Sequence, residues 1–295
     1  LTATSVIIVN YNGGKLLAEC VGSVMKQDCE VIVVDNASTD DSLSCLIEAF
    51  SSETGLTAIR AGRNLGFAAA CNLGMQTATG RCLLFLNPDC IVAPNALEAM
   101  TAVLFANGQA GMAGPLLLNP DGTEQPGGRR AVPTPWRSFV RTFSLSRWSE
   151  RYPKLFTDFL LHREAVPDGP AEVEAISGAC MLVKREALEA VGPMDENYFL
   201  HCEDLDWCMR FRQKGWKILF VPGAWAIHHQ GTCSESRPLF VEWHKHRGMV
   251  LFYEKFFRHQ YPGILLWIVK SGVWIRFSLL SVYLGVKAVR GRLKG

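Results

Sequence analysis

Leu83-Leu84-Phe85-Leu86-Asn87-Pro88-Asp89-Cys90 is the stretch from which the rest of the chain can be read. Four apolar residues in a row describe a strand buried on both faces, and Asn-Pro-Asp stops it, because proline has no N–H to give a ladder. Asp89 therefore stands at the carboxyl edge of a sheet. In open α/β sheets ligands sit in the crevice beyond the carboxyl ends of the strands, where a carboxylate can hold a hard divalent cation against phosphate oxygens. A plain Asn-Pro-Asp turn is the alternative that this motif allows by itself.

Upstream, Ser5 to Asn12 (SVIIVNYN) reads as a buried strand ending in polar residues, followed by Leu16, Leu17, Cys20, Val21 and Val24 at helical spacing. A second strand ends at Asp35, after which Ser38, Thr39 or Asp40 can cap a helix running to Phe50. A weaker third strand, Leu56 to Gly62, leads through Asn64-Leu65-Gly66-Phe67 into a helix of small residues ending near Met75, whose N-terminus could face an anion. Four alternations of strand and helix predict a parallel, doubly wound sheet. That topology brings Asp35 and Asp89 to one edge, one suited to a base or ribose and the other to a metal. The first turn, Asn10 to Lys15, lacks G-x-G-x-x-G, and no Walker loop follows, which removes the main support for a dinucleotide or P-loop site.

With 295 residues, 48% of them hydrophobic and 20% charged, the chain can bury a full core, and a net charge of +2 gives no general argument for nucleic acid. Charge is uneven, however: Lys255 to Gly295 holds eight Lys or Arg and no acid. The ten cysteines include no C-x-x-C pair, which fits small buried hydrophobes in a reducing cytosol and neither a disulfide framework nor a zinc site. A strand begins almost at once, so a signal peptide is not supported.

Between Asn119 and Val173 the periodic pattern breaks into a stretch rich in Pro and Gly that reads as a mobile loop. Arg129 to Lys154 then carries seven basic residues and one acid, interleaved with Trp136, Phe139, Phe143, Trp148 and Tyr152. A membrane surface, a phosphate-bearing acceptor, a lid or a pair of surface helices would each suit this composition. Further on, Leu205, Met209 and Arg210 place a helix whose first residues are Glu203 and Asp204, so both carboxylates face the crevice from a helix N-terminus. There they suit a general base, Asp204 first and Glu203 second, while Asp206 pairs with Arg210 at i,i+4. Simple helix capping is the alternative. Gly263 to Val289 is strongly apolar, but Lys270 and Arg276 leave no charge-free run of about 18 residues, which disfavours a clean transmembrane helix. Arg276, Tyr283, Lys287, Arg290 and Lys294 gather on one stripe, as in a helix lying in a membrane interface; a core helix or an oligomer contact are the alternatives.

The segments V-I-I-V-N-Y-N, V-V-D-N-A-S-T-D, N-L-G-F-A-A-A-C-N and F-L-N-P-D resemble the family-2 glycosyltransferases with the GT-A fold, in their rhamnosyltransferase-like branch. The resemblance continues through Ser177 to Leu188, Gly192 to Arg210 and H-H-Q-G-T (His228 to Thr232), and covers roughly 5–233. It implies an α/β, Rossmann-like and mostly parallel sheet with helices on both faces over 1–235, with 120–170 as a mobile acceptor or lid region. Residues 236–295 then form a helical, basic amphipathic, membrane-associating extension. The implied activity is inverting transfer of a sugar, with L-rhamnose from dTDP-L-rhamnose the first choice. The acceptor would be lipid-linked or a surface polysaccharide, at the inner face of the cytoplasmic membrane, with Mg²⁺ or Mn²⁺. On the matching positions, Asn10, Tyr11, Asn12, Asp35, Asn64, Gly66, Asn72, Asn87 and Asp89 would bind the nucleotide sugar, with Asp35 on the pyrimidine base. Asp89 and His228 would hold the metal, and Asp204 or Glu203 would be the base.

One position departs from the pattern. Many relatives carry Asp-x-Asp where this chain has Asn87 and Asp89, which implies a weaker metal site, and an imidazole ligand favours Mn²⁺ over Mg²⁺. UDP-hexose or UDP-galactofuranose are the alternative donors. A processive synthase is disfavoured by the lack of Q-x-x-R-W, and a catalytically degenerate nucleotide-sugar binding module stands as the reading outside the enzyme class. No nucleic-acid partner is expected; a homo-oligomer is allowed.

Overall fold

A computed structural model describes residues 4–148, 151–156, 158–231 and 237–292. The first half runs β1 (Thr4–Asn10), α1 (Leu16–Val24), β2 (Cys29–Asp35), α2 (Ser42–Ala49), β3 (Leu56–Arg60), α3 (Phe67–Met75), β4 (Cys82–Leu86). Next come β5 (Cys90–Val92), α4 (Ala96–Ala106), β6 (Ala110–Leu118), β7 (Arg129–Arg130), α5 (Pro135–Thr142), a 3-10 turn (Leu145–Trp148) and α6 (Pro153–Phe156). The remainder is β8 (Ala171–Val173), β9 (Ala175–Ile176), β10 (Cys180–Lys184), α7 (Arg185–Val191), α8 (Glu203–Gln213), β11 (Lys217–His228), α9 (Pro238–Phe257) and α10 (Gly263–Arg292).

Continuous apolar strands need cover on both faces, and they have it. Ile7, Val9, Leu83 and Phe85 point into one core, shared with side chains of α3, α8 and α9. Val6, Ile8, Leu84 and Leu86 point into the other, shared with α1, α2 and α4. Phe85 meets Trp207 of α8 edge to face, with ring centroids 5.1 Å apart.

Strand order is β3-β2-β1-β4-β10-β6-β11-β5, with β8 beside β11. The four strands from β3 to β4 are parallel, as the alternation predicts. Beyond them the sheet becomes mixed: β10 is antiparallel to both β4 and β6, and β11 is parallel to β6 but antiparallel to β5 and β8. Pro88 turns the chain away from β4 and sends β5 to the far edge of the sheet, leaving the flank of β4 for β10. An antiparallel neighbour can fill that place without a crossover helix.

The basic stretch read above as one segment divides in two. Arg129 and Arg130 form β7, paired with β9, and Arg129 is buried against Glu124 with Nε–Oε1 at 2.8 Å. Arg137 pairs with Glu174 at 2.6 Å and Arg141 with Asp158 at 2.7 Å, while Trp136, Phe139, Phe143, Trp148 and Tyr152 remain exposed. The Pro/Gly-rich stretch before it folds back as a turn: Asn119 N–H donates to Thr123 O at 2.8 Å and Gln125 N–H to Leu117 O at 2.8 Å.

The core continues past residue 235. Phe252, Tyr253, Phe256 and Phe257 of α9 lie in the same cluster as Phe85 and Trp207. Lys255 Nζ reaches Asp195 Oδ2 and Asp206 Oδ2, each at 2.6 Å, and Asp206 also pairs with Arg210 Nε at 2.6 Å, the i,i+4 contact expected from the sequence. In α10, Gly263–Lys287 is long and apolar enough to cross a membrane, and only 11% of that window is buried. Lys270, ion-paired with Glu254, and Arg276 both lie within that span. Ile275, Leu279, Val282, Val286 and Val289 make an exposed apolar stripe, flanked by exposed Arg276, Tyr283, Lys287 and Arg290. Lys294, like Thr232 in the H-H-Q-G-T run, lies outside the described residues.

Candidate active site

A cleft of ≈ 560 Å³ opens at the carboxyl ends of β1 and β4. Its wall brings together Tyr11, Asn64, Gly66, Asn87, Asp89, Glu203, Asp204 and His228 of the residues named from sequence. Asn10, Asn12, Asp35 and Asn72 are not on that wall.

The reasons are local. Asp35 is buried, accepting from Asn10 Nδ2 at 2.9 Å and from Ser38 N–H at 3.4 Å. Asn10 Nδ2 also reaches Ser38 Oγ and Ser42 Oγ, so these side chains tie the ends of β1 and β2 to α2. Asn12 Oδ1 accepts Thr39 N–H at 2.7 Å and braces the same loop. Asn72 faces the other way: its Nδ2 donates to Met194 O at 2.9 Å and its Oδ1 accepts Met194 N–H at 3.0 Å, fastening α3 to the 193–196 loop. The residue that does reach the cleft from this edge is Asn36, one past the end of β2. Its Oδ1 accepts Leu65 N–H at 2.8 Å and its Nδ2 donates to Asn64 Oδ1 at 3.1 Å and Gly66 O at 3.3 Å, which shapes the loop entering α3. Gly66 has φ +85°, and a Cβ there would lie 2.5 Å from Phe199 O, so only glycine fits. Phe67 N–H donates to that carbonyl at 2.8 Å, so one of the α3 N-terminal donors expected for an anion already has a partner.

At the next position β5 pairs with β11 so that His228 is opposite Cys90, which sets His228 beside Asp89. Both are buried, with His228 Nε2 3.3 Å from Asp89 Oδ1, and Asp89 Oδ1 has no hydrogen-bond partner. Asn87 Nδ2 is 3.4 Å from the same Nε2, and His228 Nδ1 is 2.6 Å from Gln125 Oε1. A buried, unpartnered carboxylate oxygen converging with an imidazole nitrogen fits a divalent cation, and the O/N donor set suits Mn²⁺ or Mg²⁺. Cys90 lies within 4.8 Å of both, its buried thiol directed to Ala179 O at 3.4 Å, and a soft sulfur ligand suits Mn²⁺ or Mg²⁺ less well than the oxygen and nitrogen beside it.

Another part of the cleft wall is built at the start of α8. His201 and Cys202 hold φ of +67° and +71°, a left-handed turn into the helix that non-glycine residues adopt at a cost of about 1–3 kcal/mol each. Asp204 Oδ2 accepts Gly178 N–H at 3.1 Å and is ion-paired with Arg130, while its Oδ1 accepts Leu205 N–H at 2.8 Å. Glu203 is buried beside it with Oε2 unpartnered; burial first, and then the Asp204 charge, raise its carboxyl well above the usual range. The two neighbours therefore differ in kind, an ion-paired carboxylate and a carboxyl that burial holds protonated. Arg130, Gln125, Gly178 and, from α9, Lys245 complete the wall, and none of them was singled out from sequence. The sequence clue to Gln125 was its place in the Pro/Gly stretch, while Arg130 carried no mark to distinguish it from its basic neighbours.

The sequence model of glycosyl transferase family 2 matches residues 5–192. An N-acetylglucosaminyl-diphospho-decaprenol L-rhamnosyltransferase of Mycobacterium tuberculosis is 26% identical over 93% of this chain and 92% of its own length. The dTDP-rhamnosyl transferase RfbF of Shigella flexneri is 24% identical over 77% of this chain and 69% of its own. Among solved structures, the mannosyltransferase PcManGT of Pyrobaculum calidifontis, in complex with GDP-Man and Mn²⁺, superposes with a TM-score of 0.59. It covers 92% of this chain and 70% of its own at 18% identity, a likeness of fold.

Proposed function

Because the chain belongs to glycosyl transferase family 2 and its rhamnosyltransferase-like branch, we propose that it moves a hexose from a nucleoside diphosphate to a hydroxyl of a lipid-linked or surface-polysaccharide acceptor, with inversion. L-Rhamnose from a dTDP-linked donor is the first choice, supported by the rhamnosyl transfer for which the two relatives are named. The observation that carries the reading is one cleft whose wall holds Asp89 and His228 together with Glu203 and Asp204.

Tyr11, Asn36, Asn64 and Gly66 line the part suited to the nucleotide. Asp89 and His228 would hold Mn²⁺ or Mg²⁺, which when bound supplies positive charge against the donor diphosphate. Asn87 gives that site an amide where a second carboxylate would add charge. Asp204 takes the proton of the acceptor hydroxyl as its oxygen forms the bond to the anomeric carbon and the bond to the donor diphosphate breaks. Gly178 N–H and Arg130 hold Asp204 in place for this, and Glu203, which burial holds protonated, is the second choice for the base once it has given up that proton. A binding module without catalysis would have no use for this pair of acids.

The membrane part of the proposal rests on α10 and on the exposed aromatics of α5 and its following turn. Trp136 and Leu155 share a groove with Phe257, Gln260 and Tyr261 at the junction of α9 and α10, so the two apolar surfaces are neighbours. Apolar and basic stripes side by side suit the anionic, cytoplasmic leaflet. Thermal shift with dTDP, UDP, GDP and CMP, each with and without Mn²⁺, tests the donor. Stabilisation by dTDP above the others supports the rhamnosyl reading, stabilisation by UDP moves it to a UDP-hexose or UDP-galactofuranose donor, and none by any nucleotide sinks it.

A further inference from the structure

We infer that Gln125 is a positioning residue for the cation site, locking His228 in the tautomer that leaves Nε2 free to bind metal; the inference rests on the metal reading of that site. The argument is one of hydrogen-bond direction. Gln125 Nε2 lies 3.3 Å from the His228 backbone carbonyl and 3.1 Å from Asn119 Oδ1. A carbonyl can only accept. Asn119 is itself fixed, because Thr123 Oγ1 gives its proton to Asp121 Oδ1 at 2.6 Å and so accepts from Asn119 Nδ2 at 3.0 Å, which leaves Asn119 Oδ1 toward Gln125.

Two acceptors therefore determine which end of the Gln125 amide carries the hydrogens, and its Oε1 must face His228 Nδ1, 2.6 Å away. An amide oxygen has no proton to give, so Nδ1 carries the N–H and donates it. The neutral ring then presents a lone pair at Nε2, which is the atom 3.3 Å from the unpartnered Asp89 Oδ1 and 3.4 Å from Asn87 Nδ2. An oxygen and a nitrogen lone pair facing each other repel unless a proton or a cation lies between them. Gln125 is nearly fully buried and comes from the turn after β6, so this support is supplied by a different part of the chain from both ligands. Such a partner on the far nitrogen fixes ring orientation and tautomer, and its removal typically weakens metal binding by about 10–100-fold.

The test reads the tautomer directly. In metal-free protein with ¹⁵N-histidine, at a pH where the ring is neutral, NMR should show His228, assigned by comparison with His228→Gln, protonated at Nδ1 and bare at Nε2. Gln125→Met, close in size but without donor or acceptor amide, should abolish that preference and weaken Mn²⁺ binding, titrated with dTDP and in parallel with UDP present, by about 10–100-fold. Asn119→Ala, which removes one of the two anchors of the amide, should weaken it by a smaller factor, and it serves if Gln125→Met does not fold. A neutral wild-type His228 protonated at Nε2 would overturn the inference, and so would wild-type Mn²⁺ affinity in Gln125→Met. Absence of Mn²⁺ binding in the wild type with either nucleotide would instead remove the metal reading itself, and the inference with it.

Discussion

Around Asp89 and His228 the neighbouring polar side chains are neutral amides, Gln125 and Asn87, whereas beside Glu203 and Asp204 the partner is a charge, Arg130. An amide fixes a neighbour without cancelling any charge, so the negative charge of Asp89 stays available to a cation. A guanidinium fixes Asp204 and offsets its charge at once, and burial keeps the adjacent Glu203 protonated. On the proposed function Asp89, His228, Glu203 and Asp204 are thereby divided between metal work and proton work by their supports, since the groups themselves would serve either.

The largest effect should come at the proton-transfer pair. Asp204→Asn keeps size and most hydrogen bonding but cannot take a proton, so transfer should fall by about 10²–10⁴ while donor binding persists. If Glu203→Gln loses turnover and Asp204→Asn retains it, the role moves back one residue; wild-type rates in both would end the catalytic reading of this helix start. At the metal pair, Asp89→Ala should weaken Mn²⁺-dependent binding of the nucleoside diphosphate by about 10–100-fold, and His228→Ala by less. Equal diphosphate affinity with and without chelator in the wild type would show that the two pairs do not differ as described. A chain ending at Pro262 should lose at least about tenfold in affinity for anionic liposomes and keep nucleotide binding, since basic residues near such a surface contribute about 1 kcal/mol each. Undiminished liposome binding would locate the membrane contact elsewhere.

The smallest effect concerns stability. Glu203 has a carboxyl pKa raised in the folded protein, so the native state binds the extra proton across the window above the unfolded value. Stability is therefore lost as pH rises through that window. Glu203→Gln has no such proton to lose. Its melting temperature should exceed that of the wild type by a few degrees at pH 8, with the gap closing toward pH 4, and a gap that does not change with pH would contradict the buried, protonated state.

The strands β1, β2 and β4 were legible because each is an apolar run closed by Asn or Asp, and the Asp206–Arg210 pair because helical spacing is local. What could not be read depended on distant pairing. The difference between Asp35 and Asn36 at the cleft is a single residue at a strand end, decided by where Asn10 and Ser38 reach. Arg130 faces Asp204 only because β7 pairs with β9, two residues long each. Gln125 sits among Pro and Gly that spell a loop, and its role exists only once β11 has brought His228 to it.

The place of β10 between β4 and β6 also has a consequence in time. A ribosome delivers β1 to β4 and their helices as an apparently complete parallel unit, but one flank of β4 has no partner until Cys180–Lys184 emerges, about 100 residues later. Until then that flank is an open row of peptide groups on the most apolar strand of the sheet, able to pair with the same strand of another nascent chain. A fragment stopping between β6 and β10 should therefore aggregate, and one reaching α7 should be the shortest to keep the edge closed. The strand that completes the crevice is thus also the one whose arrival ends the period of greatest risk in synthesis.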